Sequence, residues 1–321
     1  MQRPSSVIAT TPACASEPIG ASSSPARPFE IAPEGRTLTQ ATSAARSLIQ
    51  AIVLGIVQGL TEFLPISSTA HLVLIPWLFG WPPHTLEFDI ALHFGTLAAL
   101  LVYFFRDWVQ VIAQGFGARF DGDPALGRNR MLLWRMALAT LPIGVFGYIF
   151  REQAETTWRS PTVIGTMMIA IAGVLWLAER AGRRQKDLSH LNTADAILIG
   201  LAQTLSIVPG TSRSGITIAA GLFRNFDRQT AARFSFLLST PAVAAAALKD
   251  FYDLSKQGGL PPDMRMAFVV GILVSGITGY LVIEFFLNYL RRRTLHCFIT
   301  YRLIFGIIVI ALAQFFRLGG E

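Results

Sequence analysis

Six long apolar runs, Phe88 to Phe105, Met131 to Phe150, Pro161 to Ala178, Ala232 to Leu248, Ala267 to Leu290 and Phe298 to Phe316, leave this chain few ways to fold. Each is about long enough to cross the hydrocarbon core of a bilayer as a helix, which takes about 20 residues at about 1.5 Å each. With 52% of its 321 residues hydrophobic and 15% charged, the chain is too apolar for an ordinary soluble domain. The runs predict an all-α polytopic membrane protein with about six transmembrane helices.

Two further apolar stretches, Leu48 to Leu64 and Ala194 to Val208, do not read as clean spans. Each runs into a proline and a cluster of hydroxyls, at Pro65 to Thr69 and at Pro209 to Ser214, before a second short apolar piece. Non-helical backbone at membrane depth is tolerated only where protein or a water-filled cavity satisfies it. The pattern predicts two re-entrant hairpins of half-helices; a kinked full span is the plainer alternative.

The excess of 27 Lys+Arg over 20 Asp+Glu gives a net charge of +7. These bases cluster between the spans, where they orient a membrane protein, so nucleic acid is not an expected partner. The loops carrying Arg106, Arg119, Arg128 and Arg130, then Arg180, Arg183, Arg184 and Lys186, then Arg291 to Arg293 alternate correctly for the cytoplasmic side. That assignment places both termini outside. Residues 1–46, rich in Ser, Ala, Pro and Thr, read as a disordered tail with no run resembling a signal peptide. Two cysteines, Cys14 and Cys297, supply no disulfide framework or metal site.

The chain also repeats itself. "AIVLGIVQGLTEFLPISST" from Ala51 aligns with "AILIGLAQTLSIVPGTSRS" from Ala196, so that Ala51 pairs with Ala196, Gly55 with Gly200, Gln58 with Gln203 and Ser67 with Ser212, 145 positions apart (203 minus 58). Pro65 and Pro209 fall one residue out of this register. Residues 47–193 and 194–321 are therefore expected to be two copies of one unit. Three spans, an odd number, separate the hairpins, so the copies should be inverted and their hairpin tips should meet near the midplane.

The meeting tips define the candidate site. Ser67, Ser68 and Thr69 have the look of an N-cap region opening a half-helix. In the second copy, "PGTSRSG" brings Ser212, Arg213 and Ser214 before "ITIAAGLF", which includes Thr217. Helix N-termini, hydroxyls and a guanidinium describe an anion site, and the planar fork of Arg favours phosphate. Glu62 contradicts an anion site unless a metal ion lies between it and the phosphates. Gln58, one turn earlier, would orient a water or a metal ligand.

Each of these residues also has an ordinary structural reading. Single hydroxyls cap helices, His71 packs as a polar core residue, and Glu62 with Arg213 forms a salt bridge across the repeat interface. His93, Glu284 and Arg302 are better read as snorkelling or interhelical bonding.

"QGLTEFLPISSTAH" and "PGTSRSGIT" together resemble the two signature motifs of bacterial undecaprenyl pyrophosphate phosphatases, the bacitracin-resistance family, over Ser47 to Phe316. The resemblance implies six spans plus two re-entrant hairpins in an inverted repeat. It implies hydrolysis of undecaprenyl diphosphate, a polyprenyl diphosphate lipid, to undecaprenyl phosphate and inorganic phosphate, which recycles the carrier for peptidoglycan synthesis. It also implies the bacterial inner membrane, a site facing the periplasm, Mg2+ or Ca2+ as cofactor, and a homodimer as the candidate assembly.

Matched position by position, Glu62 falls on the essential glutamate, also a metal ligand. Gln58 falls on the first position of the first motif, Ser68 and His71 on the hydroxyl and histidine after it, and Ser212, Arg213 and Thr217 on the second motif; Ser68, His71 and Arg213 are the expected catalytic residues, and Gln58, Ser67, Thr69, Ser212, Ser214 and Thr217 the expected substrate-binding ones. Gln rather than Glu at position 58 leaves one fewer carboxylate for metal. The attacking group stays open between Ser68, activated by His71, and a water. Two rivals are a polyprenyl-phosphate flippase or anion transporter using the same site, and a noncatalytic membrane scaffold.

Overall fold

The computed structural model describes residues 34–81, 86–256, 259 and 264–318. The chain divides into two compact units, residues 1–41 and 42–321. Thirteen α-helices are found among the described residues: α1 Glu34–Phe63, α2 Ser68–Leu78, α3 Leu86–Tyr103, α4 Phe105–Gly115, α5 Pro124–Gly127, α6 Leu132–Ile149, α7 Arg151–Glu155, α8 Pro161–Ala181, α9 Thr193–Thr204, α10 Arg213–Phe223, α11 Arg228–Lys256, α12 Arg265–Leu290 and α13 His296–Leu318. No strand occurs among them, and the all-α expectation holds. Helix α1 begins at Glu34, inside the segment expected to be a disordered tail; residues 1–33 of that segment lie outside the described residues.

Helices α6, α8, α11, α12 and α13 are each long and apolar enough to cross a membrane. The expected first span is bent: Phe88–Tyr103 of α3 and α4 together are long and apolar enough to cross, with a 72° bend between them at Phe104. The outer faces carry exposed Leu141, Val145, Ile149, Leu273, Ile277, Leu281, Ile304 and Ile307. A water-soluble surface does not present such a belt, whereas lipid accepts it.

The second apolar stretch does form a hairpin. Asp195, in the first turn of α9, accepts a hydrogen bond from Arg224 Nε at 2.6 Å, just beyond the end of α10. A chain that returns to its own entry point has turned back. In the first stretch, Leu72 of α2 joins the same apolar cluster as Ala51 and Leu54 of α1. Along one straight helix Leu54 and Leu72 would stand about 27 Å apart at about 1.5 Å per residue. The apolar part of α1, Ser47–Phe63, and the 11 residues of α2 are each shorter than a span.

The two copies share backbone as well as sequence. Ser67 and Ser212 precede 11-residue half-helices with φ of 74° and 70°, and Gly80 and Asn225 follow them with φ of 60° and 69°. Both pairs keep the 145-residue spacing (212 minus 67, 225 minus 80). Positive φ in a serine is uncommon and costs of order 1–3 kcal/mol, so it persists only where its surroundings impose it.

Packing follows the same exchange. Gly55 of α1 lies against Val274 of α12, and Gly200, its counterpart in α9, lies against the backbone of α6 at Ala139. Each hairpin's first arm thus packs on the middle span of the other copy. Arg302 of α13 binds the tips to each other. Its guanidinium is fully buried and donates to the carbonyl oxygens of Pro65 (3.0 Å) in the first turn and of Gly210 (2.8 Å) and Thr211 (3.0 Å) in the second. Interhelical bonding was expected of Arg302; joining the two hairpin turns was not.

Candidate active site

At the first tip the chain leaves α1 at Phe63, turns through Leu64 to Ser67 and enters α2 with Ser68 as its first residue. This puts the Ser68 hydroxyl beside the carboxylate of the preceding helix: Ser68 Oγ donates to Glu62 Oε2 at 2.6 Å. Gln58, one turn earlier on α1, donates through Nε2 to the same oxygen at 3.3 Å, while its Oε1 is buried with no hydrogen-bond partner. Ser67 is the N-cap residue, yet its side chain makes no capping bond.

The second tip is built alike and carries a different charge. Ser212 caps α10 by accepting from Gly215 N at 3.1 Å, and Arg213 is the first residue of that helix. Counting 145 back, Arg213 stands where Ser68 stands in the first copy, and Ile207 stands where Glu62 does. Arg213 Nη2 lies 3.9 Å from Glu62 Oε1, at the outer limit of an ion pair, and its Nε and Nη1 are buried without partners. A guanidinium so loosely engaged keeps donors for another anion.

A polar cavity of about 40 Å³ lies between the tips, lined by Glu62, Ser67, Ser68, Thr69, His93, Ser206, Val208, Gly210, Ser212 and Arg213. Six of the residues singled out from sequence line it. Ser214 and Thr217 instead hold the scaffold. Ser214 Oγ donates to Leu64 O at 3.1 Å across the tips, and Thr217 Oγ1 pairs with Ser235 Oγ of α11 at 2.6 Å.

The structure does not bring His71 to Ser68. His71 Nδ1 meets Ser67 O at 2.7 Å and Nε2 meets Tyr301 Oη at 2.6 Å, with the ring stacked against Phe305. A carbonyl only accepts, so Nδ1 carries the hydrogen and Nε2 accepts from the tyrosine. Both nitrogens are taken.

The histidine that faces the carboxylate is His93 of α3, which the sequence pattern did not select. Its Nδ1 donates to Asp89 O at 2.7 Å, by the same reasoning, leaving Nε2 toward Glu62 Oε2 at 3.8 Å. Only its helical register relative to Phe88 and Leu92, which are buried on another face, hinted at an inward polar position. Ser206 was missed too, lying in the short turn between α9 and the tip.

The family described as "Bacitracin resistance protein BacA" matches residues 51–308, and so takes in both hairpins. This chain belongs to that family. Relatives named undecaprenyl-diphosphatase include one from Moorella thermoacetica, 44% identical over 265 residues that make up 83% of this chain and 97% of the relative. One from Desulforudis audaxviator is 46% identical over 264 residues, 82% of this chain and 97% of its own length. Another from Chlorobaculum tepidum is 45% identical over 273 residues, 83% and 97%.

Proposed function

We infer that this chain is an integral membrane enzyme that hydrolyses undecaprenyl diphosphate to undecaprenyl phosphate and inorganic phosphate, returning the lipid carrier to cell-wall synthesis. The observation that carries the chemistry is the 2.6 Å hydrogen bond from Ser68 Oγ to the Glu62 carboxylate, opposite Arg213. A serine already donating to a carboxylate is a nucleophile with its base in place.

In this reading, Ser68 Oγ attacks the terminal phosphorus as Glu62 takes its proton. The bond from that phosphorus to the bridging oxygen breaks, undecaprenyl phosphate leaves, and the phosphoryl group stays on Ser68. His93 Nε2 accepts the proton from Glu62; the freed carboxylate then takes a proton from the water that attacks the phosphorylated serine, and returns it to Ser68 Oγ as the Oγ–P bond breaks and phosphate leaves. Arg213 holds the non-bridging oxygens, where charge concentrates during transfer. His71 acts through position, tying α2 to α13.

Mg2+ or Ca2+ as cofactor fits the donors present. Among the described residues no three His, Cys, Asp or Glu side chains cluster as a metal site. Glu62 and the unpartnered Oε1 of Gln58 are hard oxygen donors, and a cation resting on them would complete its shell with substrate oxygens. Bound there, it would neutralise diphosphate charge. An inner-membrane location with the site open to the periplasm belongs to the same proposal. Its support is the basic sequence of the loops after α4, α8 and α12, on the side away from Arg151, Arg159 and Lys249.

Detergent-purified protein is expected to release phosphate from undecaprenyl diphosphate with Mg2+ and to stop with a chelator. Rapid acid quench should trap a phosphoenzyme that Ser68→Ala lacks. Full activity in Ser68→Ala would move the attack to water. A folded wild-type protein that released nothing would overturn the hydrolase and leave lipid transport.

A further inference from the structure

At about 40 Å³ the polar cavity is too small for a lipid, so the lipid's place has to be sought next to it. Arg213 lines three cavities. Besides the polar one, it closes a space of about 170 Å³ between α2, α3 and α11, and a larger one of about 430 Å³ between α6 and α11. The larger has aliphatic and small walls, Ile143, Gly144 and Gly147 on α6 and Ala242, Ala245 and Ala246 on α11. Arg151 and Lys249, on the loop-proximal side, complete it.

We propose that this α6–α11 cavity is the groove that receives the prenyl chain of the substrate, with the diphosphate held at Arg213. The proposal rests on the diphosphatase reading and adds where the chain lies.

Gly144 and Gly147 supply the first observation. Glycine weakens a helix interior relative to alanine, and most helical glycines of this protein are explained by a neighbouring helix at close quarters. At Gly144 and Gly147 an added Cβ would meet nothing within 4 Å. Of the three helix-interior glycines with such open space among the described residues, the third being Gly173, these two line the cavity. Packing within the chain does not account for them; a ligand does.

The second observation is electrostatic. Nε and Nη1 of Arg213 are buried and unpartnered, so the guanidinium has donors left over from Glu62. A diphosphate reaching past the polar cavity would satisfy them, and its lipid would continue into the space beyond.

The third concerns access. Only 17% of the α6 span is buried within the protein, against 61% of α11. Helix α6 is therefore peripheral, Leu141 and Tyr148 of it are exposed, and the seam it makes with α11 borders lipid. A branched hydrocarbon can enter sideways there without leaving the membrane.

The test plugs the groove without touching the site. Gly144→Leu and Gly147→Leu fill space where no atom stands, so both should fold, with an unfolding midpoint no lower than wild type. For undecaprenyl diphosphate kcat/KM should fall about tenfold or more, as expected where an apolar pocket loses its fit. Hydrolysis of isopentenyl diphosphate, whose chain is too short to reach these positions, should stay within about twofold.

Val73→Phe, which plugs the smaller cavity, is the counter-test: a loss confined to that variant would overturn the proposal. A second measurement needs no short substrate. In a Cys14→Ser, Cys297→Ser background, undecaprenyl phosphate should protect Gly147→Cys from maleimide, and inorganic phosphate should not. Equal labelling in all conditions would also overturn it. Absence of hydrolysis of either substrate by wild type would instead sink the diphosphatase reading itself.

Discussion

The two hairpin tips have nearly the same backbone and opposite chemistry. Both enter an 11-residue half-helix through a serine of positive φ, and both leave it through a second residue of positive φ. At the first helical position one carries the Ser68 hydroxyl and the other the Arg213 guanidinium, and six residues earlier the first has the Glu62 carboxylate where the second has Ile207. Duplication accounts for a symmetric frame. In the proposed mechanism Ser68 attacks and Arg213 holds the anion, so divergence at matched positions is what would turn the symmetric frame into a catalytic one.

The roots of the hairpins differ as well. Where the second enters, Asp195 is fully buried between Lys186 (3.2 Å) and Arg224 (2.6 Å). Nearby, Glu179 accepts from Arg184 at 2.6 Å, from Arg228 at 2.7 Å and from Leu295 N at 2.9 Å. At the first root Asp89 meets Arg159 at 3.4 Å, with both side chains partly exposed. The second hairpin, which carries Arg213, is the one whose root is held by buried ion pairs.

The sharpest way to break the likeness is to make the tips equal. Glu62→Ile gives the first arm the residue its counterpart has at Ile207, and phosphate release is expected to fall by about 10³-fold or more, as when a base and its electrostatic support are lost together. Ile207→Glu should not restore it, because that position does not neighbour Ser68.

Arg302→Met removes the join between the tips. It leaves three carbonyl oxygens unsatisfied in an apolar interior, at about 1–3 kcal/mol each where nothing replaces the bond. Loss of both the unfolding transition and activity is expected, with partial recovery in Arg302→Lys, whose ammonium can still donate to some of them.

Glycine at each positive-φ serine separates strain from capping. Ser67→Gly should stabilise by about 1 kcal/mol, since the strain is relieved and no capping bond is lost. For Ser212→Gly the same relief is offset by loss of the bond to Gly215 N, worth about 1 kcal/mol, and the net change in denaturation midpoint should be near zero. Equal shifts at both positions would show that the caps do not distinguish the tips.

The smallest effect lies outside the membrane. Burial raises the Asp123 carboxyl, but the hydrogen bond and charge of Arg233 outweigh it and hold it below the ordinary carboxylate value. A depressed pKa contributes stability that is full above about pH 4, the unfolded value, and is lost as pH falls through the lower folded one. Asp123→Asn should therefore lower the unfolding midpoint at pH 7 and lose that effect in acid.

Much of this was legible in the letters. Length and hydropathy predicted the spans, and proline-plus-hydroxyl breaks predicted the hairpins. The repeat predicted that the tips meet, because an odd number of crossings inverts the second copy. The bend at Phe104 was not legible: the fall in hydropathy from Arg106 onward marks the end of a span, but not that the helix resumes at 72° to it.

The two histidines were exchanged for a similar reason. Closeness in sequence favoured His71 as the partner of Ser68, but α2 turns that ring toward Tyr301, while a third helix carries His93 to Glu62. Which face a histidine presents depends on packing between distant segments. Arg302 was equally opaque: its partners are backbone carbonyls, which every residue has.

The position of Arg302 in the chain also sets an order of events during synthesis. Its helix, α13, is the last of the spans to leave the ribosome, while the turns it holds belong to segments made long before. Until that helix inserts, the carbonyls of Pro65, Gly210 and Thr211 lack the guanidinium that joins the two turns. On the proposed mechanism, a chain without α13 is therefore expected to be inert toward the lipids around it. Chains ended before His296 are expected to be protease-sensitive and silent, even though they carry both signature motifs intact.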